Sequence, residues 1–509
     1  MSQKKKKSIN LLRGWPATSL LPAEALGAAS QTALTDQSIW APGLEYGPDP
    51  GYQPLREELA RWLGAFYDEE KEEEEGAMSQ PQSDRITITG GASQSLACIL
   101  QSFTDPGQTL AVWVVAPCYF LACPIFDDAG FAGRLRAVPE DEEGVDIDVL
   151  EREMRAVEIR EEEEEKEKEK EKENERVLLL LYKDPGPHRK IYRHVVYCVP
   201  AFSNPSGRTM TRARREGLVG LARKYDALVI CDDVYDMLQW RQQHTSSSSS
   251  SPSTRGKEKE KEKQKEKEAD GLNKALLPRL ADIDIRQGPS PFDPPGKHFG
   301  HVVSNGSFSK LVAPGVRTGW TYSTGDLAVG MAMTGSTRSG GAPSQFTATV
   351  ICQLLRGGEV TGHIDRVLRP AYSRRHGVLV RAINSELVPL GVEMRGGSLR
   401  GREDVYGGYF VWIHLPRSKT GWPAAREIAD RCRVDEDLLI GNGELFAVHG
   451  DEEAARFEDG VRLCFSWEDE EDLEEGVRRL ARVIKTMLNE GPDKWRREKK
   501  GPGEVDDGK

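Results

Sequence analysis

The chain has 509 residues, of which 38% are hydrophobic and 30% charged, and its formal net charge is −12. That length is enough for about two or three globular domains. The acidic balance argues against a nucleic-acid-binding protein, which needs a clustered basic face, and no apolar run reaches the length that spans a membrane.

Three stretches are too polar to enter a hydrophobic core. They lie near residues 69–80, 158–176 and 244–270, and they consist mainly of Glu, Lys and Ser. Such segments bury too little apolar surface to offset the entropy lost on ordering. We predict that they are solvated insertions, and that residues 491–509 form a polar tail.

The eight cysteines include no Cys-x-x-Cys pair. Cys198 and Cys231 lie inside apolar runs, so we predict reduced core thiols and no metal site. The apolar segment at residues 9–12 is too short for a secretory signal, although an organelle leader stays open. We therefore predict a cytoplasmic protein.

In chain order, the first segment is interrupted by turn formers. Gly14, Pro16 and Pro22 fall within residues 9–44, for which we predict an irregular N-terminal arm, with residues 1–44 as one unit. Pro54 then opens a helix whose apolar positions 55, 59, 62 and 63 share one face.

The next segment predicts an anion site. Residues 85–89 alternate as a strand, two glycines follow, and a helix begins at Ala92 and Ser93. Free backbone N–H groups at a helix start point at a bound anion. Because no Gly-x-Gly-x-x-Gly or Walker sequence is present, a single phosphate fits better than a dinucleotide.

Several apolar runs predict buried strands, and some are followed by side chains that suit a site. The run at 109–115 precedes Tyr119 and Phe120, either of which could stack on a ring. Further runs lie at residues 177–181, 195–199 and 227–231. The last of these precedes Asp232 and Asp233, and a carboxylate at the end of a buried strand is costly unless it is paired with a cation.

The strand beginning at residue 302 leads into the sequence's strongest chemical signal. Ser307 and Ser309 can donate to a phosphate, and Arg317 can pair with it through a planar fork. Lys310 lies between them and can act as an amine nucleophile, because nearby positive charge lowers its proton affinity. This group predicts a phosphorylated aldehyde held by the lysine as a Schiff base.

The pattern changes after residue 345. A helical stretch at 363–382, alternating strands at 407–415 and 460–466, and an amphipathic helix at 472–487 follow. The earlier alternation of buried strands and helices predicts an α/β large domain over 45–345, with a mostly parallel sheet and helices on both faces. Residues 346–490 predict a smaller α+β domain.

Four motifs together resemble the fold-type I aminotransferases that depend on pyridoxal 5'-phosphate (PLP). They are Tyr46-Gly-x-x-x-Gly-x-x-x-Leu-Arg, Asn204-Pro-Ser-Gly, Asp232-x-x-Tyr235 and Ser-x-Ser-Lys310. The resemblance runs from about Ile9 to about Met487 and is to the class I/II group with kynurenine, aminoadipate and aromatic aminotransferases.

The resemblance implies a role for each residue around the PLP ring. Lys310 would carry PLP, Asp232 would pair with the ring nitrogen, and Tyr119 would stack on the ring. Asn204 and Tyr235 would donate to the phenolic oxygen. Asp233 is the alternative for the ring nitrogen, although the spacing to the tyrosine favours Asp232, and Phe120 is the alternative for stacking.

The same resemblance implies substrate and partner contacts. Arg462 would bind the substrate α-carboxylate, with Gly14 and Asn204 near the substrate, and Trp15 is a further candidate for lining that pocket. Tyr46 would reach the PLP phosphate of the other subunit, which implies a homodimer.

The implied activity is a ping-pong transfer of an amino group from an L-amino acid to a 2-oxo acid. Two alternatives remain open: a β-lyase or elimination reaction on the same PLP scaffold, and a catalytically inactive PLP-fold scaffold or regulator. The sequence does not indicate which amino acid is used.

Overall fold

A computed structural model describes residues 6–67, 82–171, 182–241, 274–394, 398–399, 402–416 and 421–491. The predicted insertions at 69–80 and 244–270 and the predicted strand at 177–181 lie outside these residues, as do residues 492–509 of the tail. The strands are β1 (Ile9–Asn10), β2 (Ile86–Thr89), β3 (Ala111–Ala116), β4 (Leu135–Asp141), β5 (Gly144–Val145), β6 (His194–Cys198), β7 (Ala227–Asp232), β8 (Gln239–Arg241), β9 (Val302–Ser307), β10 (Gly319–Tyr322), β11 (Glu393–Met394), β12 (Ser398–Leu399), β13 (Arg402–Gly407), β14 (Phe410–His414), β15 (Leu438–Leu439), β16 (Gly441–Asn442) and β17 (Gly460–Cys464).

The helices alternate with the strands of the first half of the chain and dominate the second half. They are α1 (Ala23–Thr35), α2 (Gln37–Leu44), α3 (Gln53–Tyr67), α4 (Ala92–Phe103), α5 (Cys123–Phe126), α6 (Ile147–Glu171), α7 (Arg212–Lys224), α8 (Leu280–Arg286), α9 (Gly325–Ala332), α10 (Gly335–Arg338), α11 (Gln345–Arg356), α12 (Glu359–His363), α13 (Arg369–Glu386), α14 (Ala425–Glu436) and α15 (Glu470–Glu490). Among the described helices, none offers an apolar stretch long enough to cross a bilayer.

The main sheet has the order β2-β10-β9-β7-β6-β3-β4-β5. Its central pairs are parallel, whereas β10 runs antiparallel to both of its neighbours. This confirms the prediction of a mostly parallel α/β sheet. In such sheets the carboxyl ends of the strands carry the site, because the loops that follow them meet at one edge.

Both faces of this sheet are buried. Along β3, Trp113 and Val115 belong to one hydrophobic cluster, while Val112 and Val114 belong to another on the opposite face. Successive side chains of a strand point to opposite faces. The continuous apolar runs in the sequence therefore reflect helices that cover the sheet on both sides.

The second half of the chain forms a four-stranded sheet with the order β11-β14-β17-β16. The N-terminal segment joins this region, since β1 pairs in parallel with β15. The backbone N–H of Cys464 also donates to the carbonyl of Leu11 at 2.8 Å. Backbone hydrogen bonds thus hold the described N-terminal segment against β17, the strand that contains Arg462. The domain boundaries at residues 44 and 345 stay a prediction.

The prediction that residues 9–44 are irregular is wrong for most of that stretch. Helix α1 begins directly after Pro22, and α2 follows with Asp36 as its N-cap, whose carboxylate accepts from the N–H of Ser38 at 2.9 Å. A proline just before a helix interrupts nothing, because the first N–H groups of a helix have no partner within it.

Helix α6 extends further than the sequence predicts. Part of the predicted insertion at 158–176 continues this helix as far as Glu171. Glu158 Oε1 accepts hydrogen bonds from Arg193 Nε and from His194 Nε2, both at 3.0 Å. The helix is therefore tied to β6 at least to Glu158.

Candidate active site

One cavity of about 440 Å³ lies among the main sheet, the N-terminal segment and β17. Most of the residues that the sequence singled out line it. They are Gly14, Ala92, Ser93, Tyr119, Asn204, Asp232, Tyr235, Ser307, Ser309, Lys310, Arg317 and Arg462.

Tyr46, in contrast, lies outside this cavity. Its side chain is 90% exposed, and it lines a separate surface groove with Gly340 and Gln345. The role that the resemblance gives it requires a second subunit, so that role stays a prediction.

Lys310 follows β9 and presents its amine to the cavity. Its Nζ donates to the carbonyl of Gly14 at 2.7 Å. Burial lowers the pKa of the Lys310 amine to about 8, with the nearby Arg462 acting in the same direction, while Cys464 and Asp232 oppose the shift. An amine with such a pKa is partly neutral near neutral pH, as a nucleophile or general base must be.

Gly14 has little room for a side chain. A Cβ on this residue would lie 2.8 Å from Cζ of Phe410, closer than van der Waals contact allows. A glycine here therefore lets the N-terminal segment approach the lysine closely.

Asp232 ends β7 and is only 8% exposed. Its Oδ2 accepts from the Tyr197 hydroxyl at 2.8 Å, whereas its buried Oδ1 accepts from no described residue. Burial raises the pKa of Asp232 to about 6, opposed by the hydrogen bond from Tyr197 and by Lys310. An unpaired buried carboxylate oxygen is costly, so this free acceptor fits a cationic ligand group that donates a proton, such as a protonated pyridine nitrogen.

Asp233, the alternative for this role, is placed differently. Its carboxylate accepts from the hydroxyl of Ser304, and it does not line the cavity. Burial raises its pKa well above the ordinary value, and the neighbouring Asp236 adds to the shift. The geometry therefore favours Asp232.

The start of α4 forms one end of the cavity. Ala92 and Ser93 are its first two residues and line the cavity. The Nδ2 of Asn305 donates to the carbonyl of Ala92 at 2.9 Å and fixes this turn to β9. The early N–H groups of a helix have no partner within it and suit a phosphate.

Hydroxyls and a guanidinium lie at the same end. Ser307 Oγ donates to Ser309 Oγ at 3.0 Å, and Arg317 donates to the carbonyl of Gly90 at 3.0 Å. Gly91 has φ +99°, and a Cβ there would lie 2.9 Å from the Arg317 guanidinium. Only glycine suits that position, since it adopts positive φ without strain.

Aromatic residues form the walls. Tyr119 and Phe120 both line the cavity, so the structure does not separate them as stacking residues. Burial raises the pKa of Tyr119 to about 12, with Asp232 adding to the shift, so its hydroxyl stays protonated. Tyr235 is buried, with its ring centroid 5.4 Å from that of Tyr409.

Arg462 reaches the cavity from β17. Its guanidinium donates to Asn204 Oδ1 at 2.7 Å and to the carbonyl of Leu12, and it lies 4.2 Å from the Phe410 ring centroid. Its buried Nε has no hydrogen-bond partner among the described residues. Burial lowers the pKa of Arg462 to about 10, which leaves it cationic and able to bind a carboxylate.

Sequence reasoning missed Arg13, Tyr197 and Asn305, all of which line the cavity. Tyr197 lies inside an apolar strand segment and Asn305 inside a more polar one, and neither residue belongs to a recognisable motif. The strand order brings both residues close to Asp232. Asn305 of β9 is the register partner of Asp232 in β7, and Tyr197 lies on β6, the neighbouring strand on the other side of β7. Arg13 adjoins Gly14, which was the available signal.

The chain is similar in sequence to known proteins. Residues 17–480 match the family model of aminotransferase class I and II. The chain is 32% identical to the Saccharomyces cerevisiae uncharacterized protein YER152C, over 95% of this chain and 98% of the relative. It is 26% identical to aromatic-amino-acid aminotransferase 1 of Thermococcus litoralis, over 94% of this chain and 88% of that one.

A solved structure has the same fold. The kynurenine aminotransferase of Pyrococcus horikoshii, in complex with PMP, matches with a TM-score of 0.65 and 25% identity. The match covers 94% of this chain and 91% of that one.

Proposed function

The chain belongs to the class I and II aminotransferases, a PLP-dependent family of transaminases, and on that premise we propose that it moves an amino group from an L-amino acid to a 2-oxo acid by a ping-pong mechanism. One observation carries the proposal: Lys310, whose amine is buried, and Asp232, whose carboxylate has one oxygen without a hydrogen-bond donor among the described residues, line the same cavity. When bound, PLP supplies an electron sink for the electron pair released at the substrate α-carbon.

The residues at the phosphate end would hold PLP by its phosphate. The N–H groups that begin α4 at Ala92 and Ser93 would donate to it, as would the hydroxyls of Ser307 and Ser309. Arg317 would supply the balancing positive charge.

The ring end would be held by Asp232, whose carboxylate would pair with the ring nitrogen and would keep it protonated. Tyr197 keeps that carboxylate oriented through its 2.8 Å hydrogen bond. Tyr235 and Asn204 would donate to the phenolic oxygen, and Tyr119 would cover the ring face.

Lys310 would remove the α-proton of the substrate and would hold it until it is given back in the second proton transfer. Its pKa of about 8 suits both directions of this transfer near neutral pH. Arg462 would bind the α-carboxylate and thereby aim the α-proton at the amine.

Relatives suggest the size of the substrate. Their names include aromatic amino acid, 2-aminoadipate and kynurenine/alpha-aminoadipate aminotransferases. The apolar side of this cavity would accept a long side chain, and it is formed by Leu12, Phe120, Leu121, Ile125, Phe410 and Leu439.

We further propose a homodimer in which Tyr46 completes the partner's site, because its 90% exposed ring needs a partner to be covered. All eight cysteines are buried and unpaired, which supports a cytoplasmic location. Sedimentation of the protein, with PLP titrations of wild type and Tyr46→Phe, tests the dimer. A monomer, or unchanged PLP affinity in the variant, would contradict it.

The activity is tested by visible absorption of the purified protein with PLP, before and after single amino acids are added. We expect a lysine-dependent band that is absent in Lys310→Ala and retained in Lys485→Ala, which removes an exposed lysine of α15. Amino donors should convert the band without any acceptor and release one 2-oxo acid per site, since a ping-pong reaction separates its two halves.

Two outcomes would overturn the proposal. Release of pyruvate and ammonia from a β-substituted amino acid, with no transfer to a 2-oxo acid, would indicate an elimination enzyme. If none of the amino acids changes the spectrum, the protein would be a scaffold.

A further inference from the structure

Two cysteines meet in the segment that joins β3 to α5. The Sγ atoms of Cys118 and Cys123 lie 3.9 Å apart, within hydrogen-bonding distance for sulfur. Both residues are only 2% exposed. The proposed function gives this pair, the Cys118–Cys123 dithiol, no task. Two thiols in contact can be oxidised to a disulfide, because each sulfur is within reach of the other.

The two sulfurs of the dithiol differ in acidity. The hydrogen bond from the Cys118 thiol lowers the pKa of Cys123 to about 7, although burial opposes the shift. The backbone N–H of His449 also stabilises the Cys123 thiolate, and the charges of the His449 and Asp127 side chains, which pair at 2.8 Å, act on it in opposite directions. The same sulfur contact raises the pKa of Cys118, and burial adds to that shift. Cys123 therefore suits the attacking thiolate, and Cys118 suits the thiol that reacts second.

Cys123 lies close both to the cavity and to the protein surface. It begins α5 directly after Ala122, which lines the cavity. On its other side, the N–H of His449 contacts its sulfur, and the side chain of His449 is 69% exposed. Hydrogen peroxide is only slightly larger than water, so a small movement of the cavity wall or of the His449 loop would admit it to the sulfur.

The dithiol frames one wall of the cavity. All four residues between the cysteines, Tyr119 to Ala122, line the cavity. The N–H of Cys118 donates to the carbonyl of Phe446 at 2.8 Å. The ring centroid of Phe446 lies 5.6 Å from that of Phe120 and 4.6 Å from the guanidinium carbon of Arg462. Movement of the cysteines would therefore reach both this wall and the proposed α-carboxylate site.

We propose that the Cys118–Cys123 dithiol is a redox-sensitive modification site, which a hydroperoxide converts to a disulfide and a thiol reductant restores. The Cys123 thiolate attacks the peroxide, so that an S–O bond forms, the O–O bond breaks and the leaving hydroxide takes up a proton. The Cys118 sulfur then attacks the sulfenic acid of Cys123, an S–S bond replaces the S–O bond, and a second water leaves with the Cys118 proton. The dithiol loses two electrons, and the peroxide gains them.

Formation of the disulfide would displace the cavity wall. A disulfide holds its sulfurs about 2.05 Å apart, so the pair must close by about 1.9 Å. Tyr119 and Phe120 lie within the ring that closes, and they would shift with it. We expect weaker PLP binding and a kcat lower by about 10- to 100-fold, the effect of a displacement of about 1 Å in a positioned site. This loss of activity rests on the proposed function, whereas the disulfide does not.

Treatment of the full-length, PLP-loaded protein with hydrogen peroxide tests the site. Peptide mapping after the free thiols are blocked should show a disulfide between Cys118 and Cys123, and dithiothreitol should remove it. Cys198 and Cys231 are the internal control. They are register partners of β6 and β7, and burial raises the pKa of Cys231 well above its ordinary value, so both should stay reduced. No disulfide at the dithiol, or earlier oxidation of the control pair, would overturn the proposal.

Single-cysteine variants separate the disulfide from other oxidative damage. Cys118→Ser should stop at the sulfenic acid of Cys123, which dimedone traps and mass spectrometry detects. Cys123→Ser should keep its activity and PLP affinity under peroxide. Cys98→Ser is the matched control, because it removes a buried cysteine whose sulfur contacts Gln94 and Ser336. It should lose activity under peroxide and regain it with dithiothreitol, as wild type does.

The effect on the cavity is decided separately. A disulfide that leaves both kcat and PLP affinity unchanged would overturn its role as a switch, as would an equal loss of activity in Cys123→Ser. If the protein transfers no amino group, the proposed function fails. The peptide map and the PLP affinities of the oxidised and reduced protein then still decide whether the dithiol controls this cavity.

Discussion

Replacing Asp232 by Asn separates two effects of its buried charge: the loss of stability in the apoprotein and the contribution to PLP binding. The wild-type apoprotein holds a carboxylate whose Oδ1 has no hydrogen-bond donor among the described residues, on a residue that is only 8% exposed. Asn is nearly isosteric and carries no charge. We therefore expect Asp232→Asn to stabilise the apoprotein at neutral pH while it weakens the response to PLP.

The magnitude follows from the pKa of this group. Burial raises it from an ordinary 3.8 to about 6, and each unit corresponds to about 1.4 kcal/mol, so the ionised carboxylate costs about 3 kcal/mol. The folded state binds this proton more tightly than the unfolded state. The stability that the group contributes is therefore complete below about pH 4 and is lost as the pH rises towards about 6.

Urea unfolding of both apoproteins between about pH 4.5 and pH 8 measures the effect. The advantage of Asp232→Asn should grow with pH up to about pH 6.5 and then level off near 3 kcal/mol. Added PLP should stabilise wild type more than the variant, because only the carboxylate can pair with a protonated ring nitrogen. Asp128→Asn, at an exposed aspartate, is the control. A variant that is less stable than wild type at pH 7, or an advantage that does not change with pH, would refute this reasoning.

Other substitutions test the remaining geometry. Tyr197→Phe removes the hydroxyl that donates to Asp232, so the acidic limb of the pH–rate profile should move to higher pH and kcat should fall about tenfold; an unmoved limb would contradict the contact. Capture of PLP by the apoprotein should accelerate with a midpoint near pH 8, where the Lys310 amine loses its proton, and a stopped-flow midpoint near pH 10 would contradict the lowered pKa. Gly14→Ala should lower the free energy of unfolding by about 1–3 kcal/mol, because its Cβ would press on an aromatic ring. Gly27→Ala, inside α1 with open space around its Cβ, should leave stability unchanged or raise it by up to about 1 kcal/mol, and equal losses in both variants would argue against the steric explanation.

The sequence by itself determined most of the main sheet. Runs such as residues 227–231 are apolar without alternation, and only a strand covered on both faces uses such a run, so an α/β fold followed. The cluster of Lys310 with two serines and Arg317 was also predicted from the sequence, because residues that bind a phosphate and supply an amine nucleophile lie close together along the chain. Helix α1 was missed because Pro22 was interpreted as a break, although it marks the start of the helix.

Only the tertiary structure decided which distant residues meet at the site. Strand order places Tyr197 and Asn305 beside Asp232, and pairing of β1 with β15 brings Arg13 and Gly14 to Lys310. These neighbours lie far apart in sequence, and no local pattern encodes them. Their proximity follows from burying two faces of one sheet and from the backbone hydrogen bonds that close it, which depend on the whole chain.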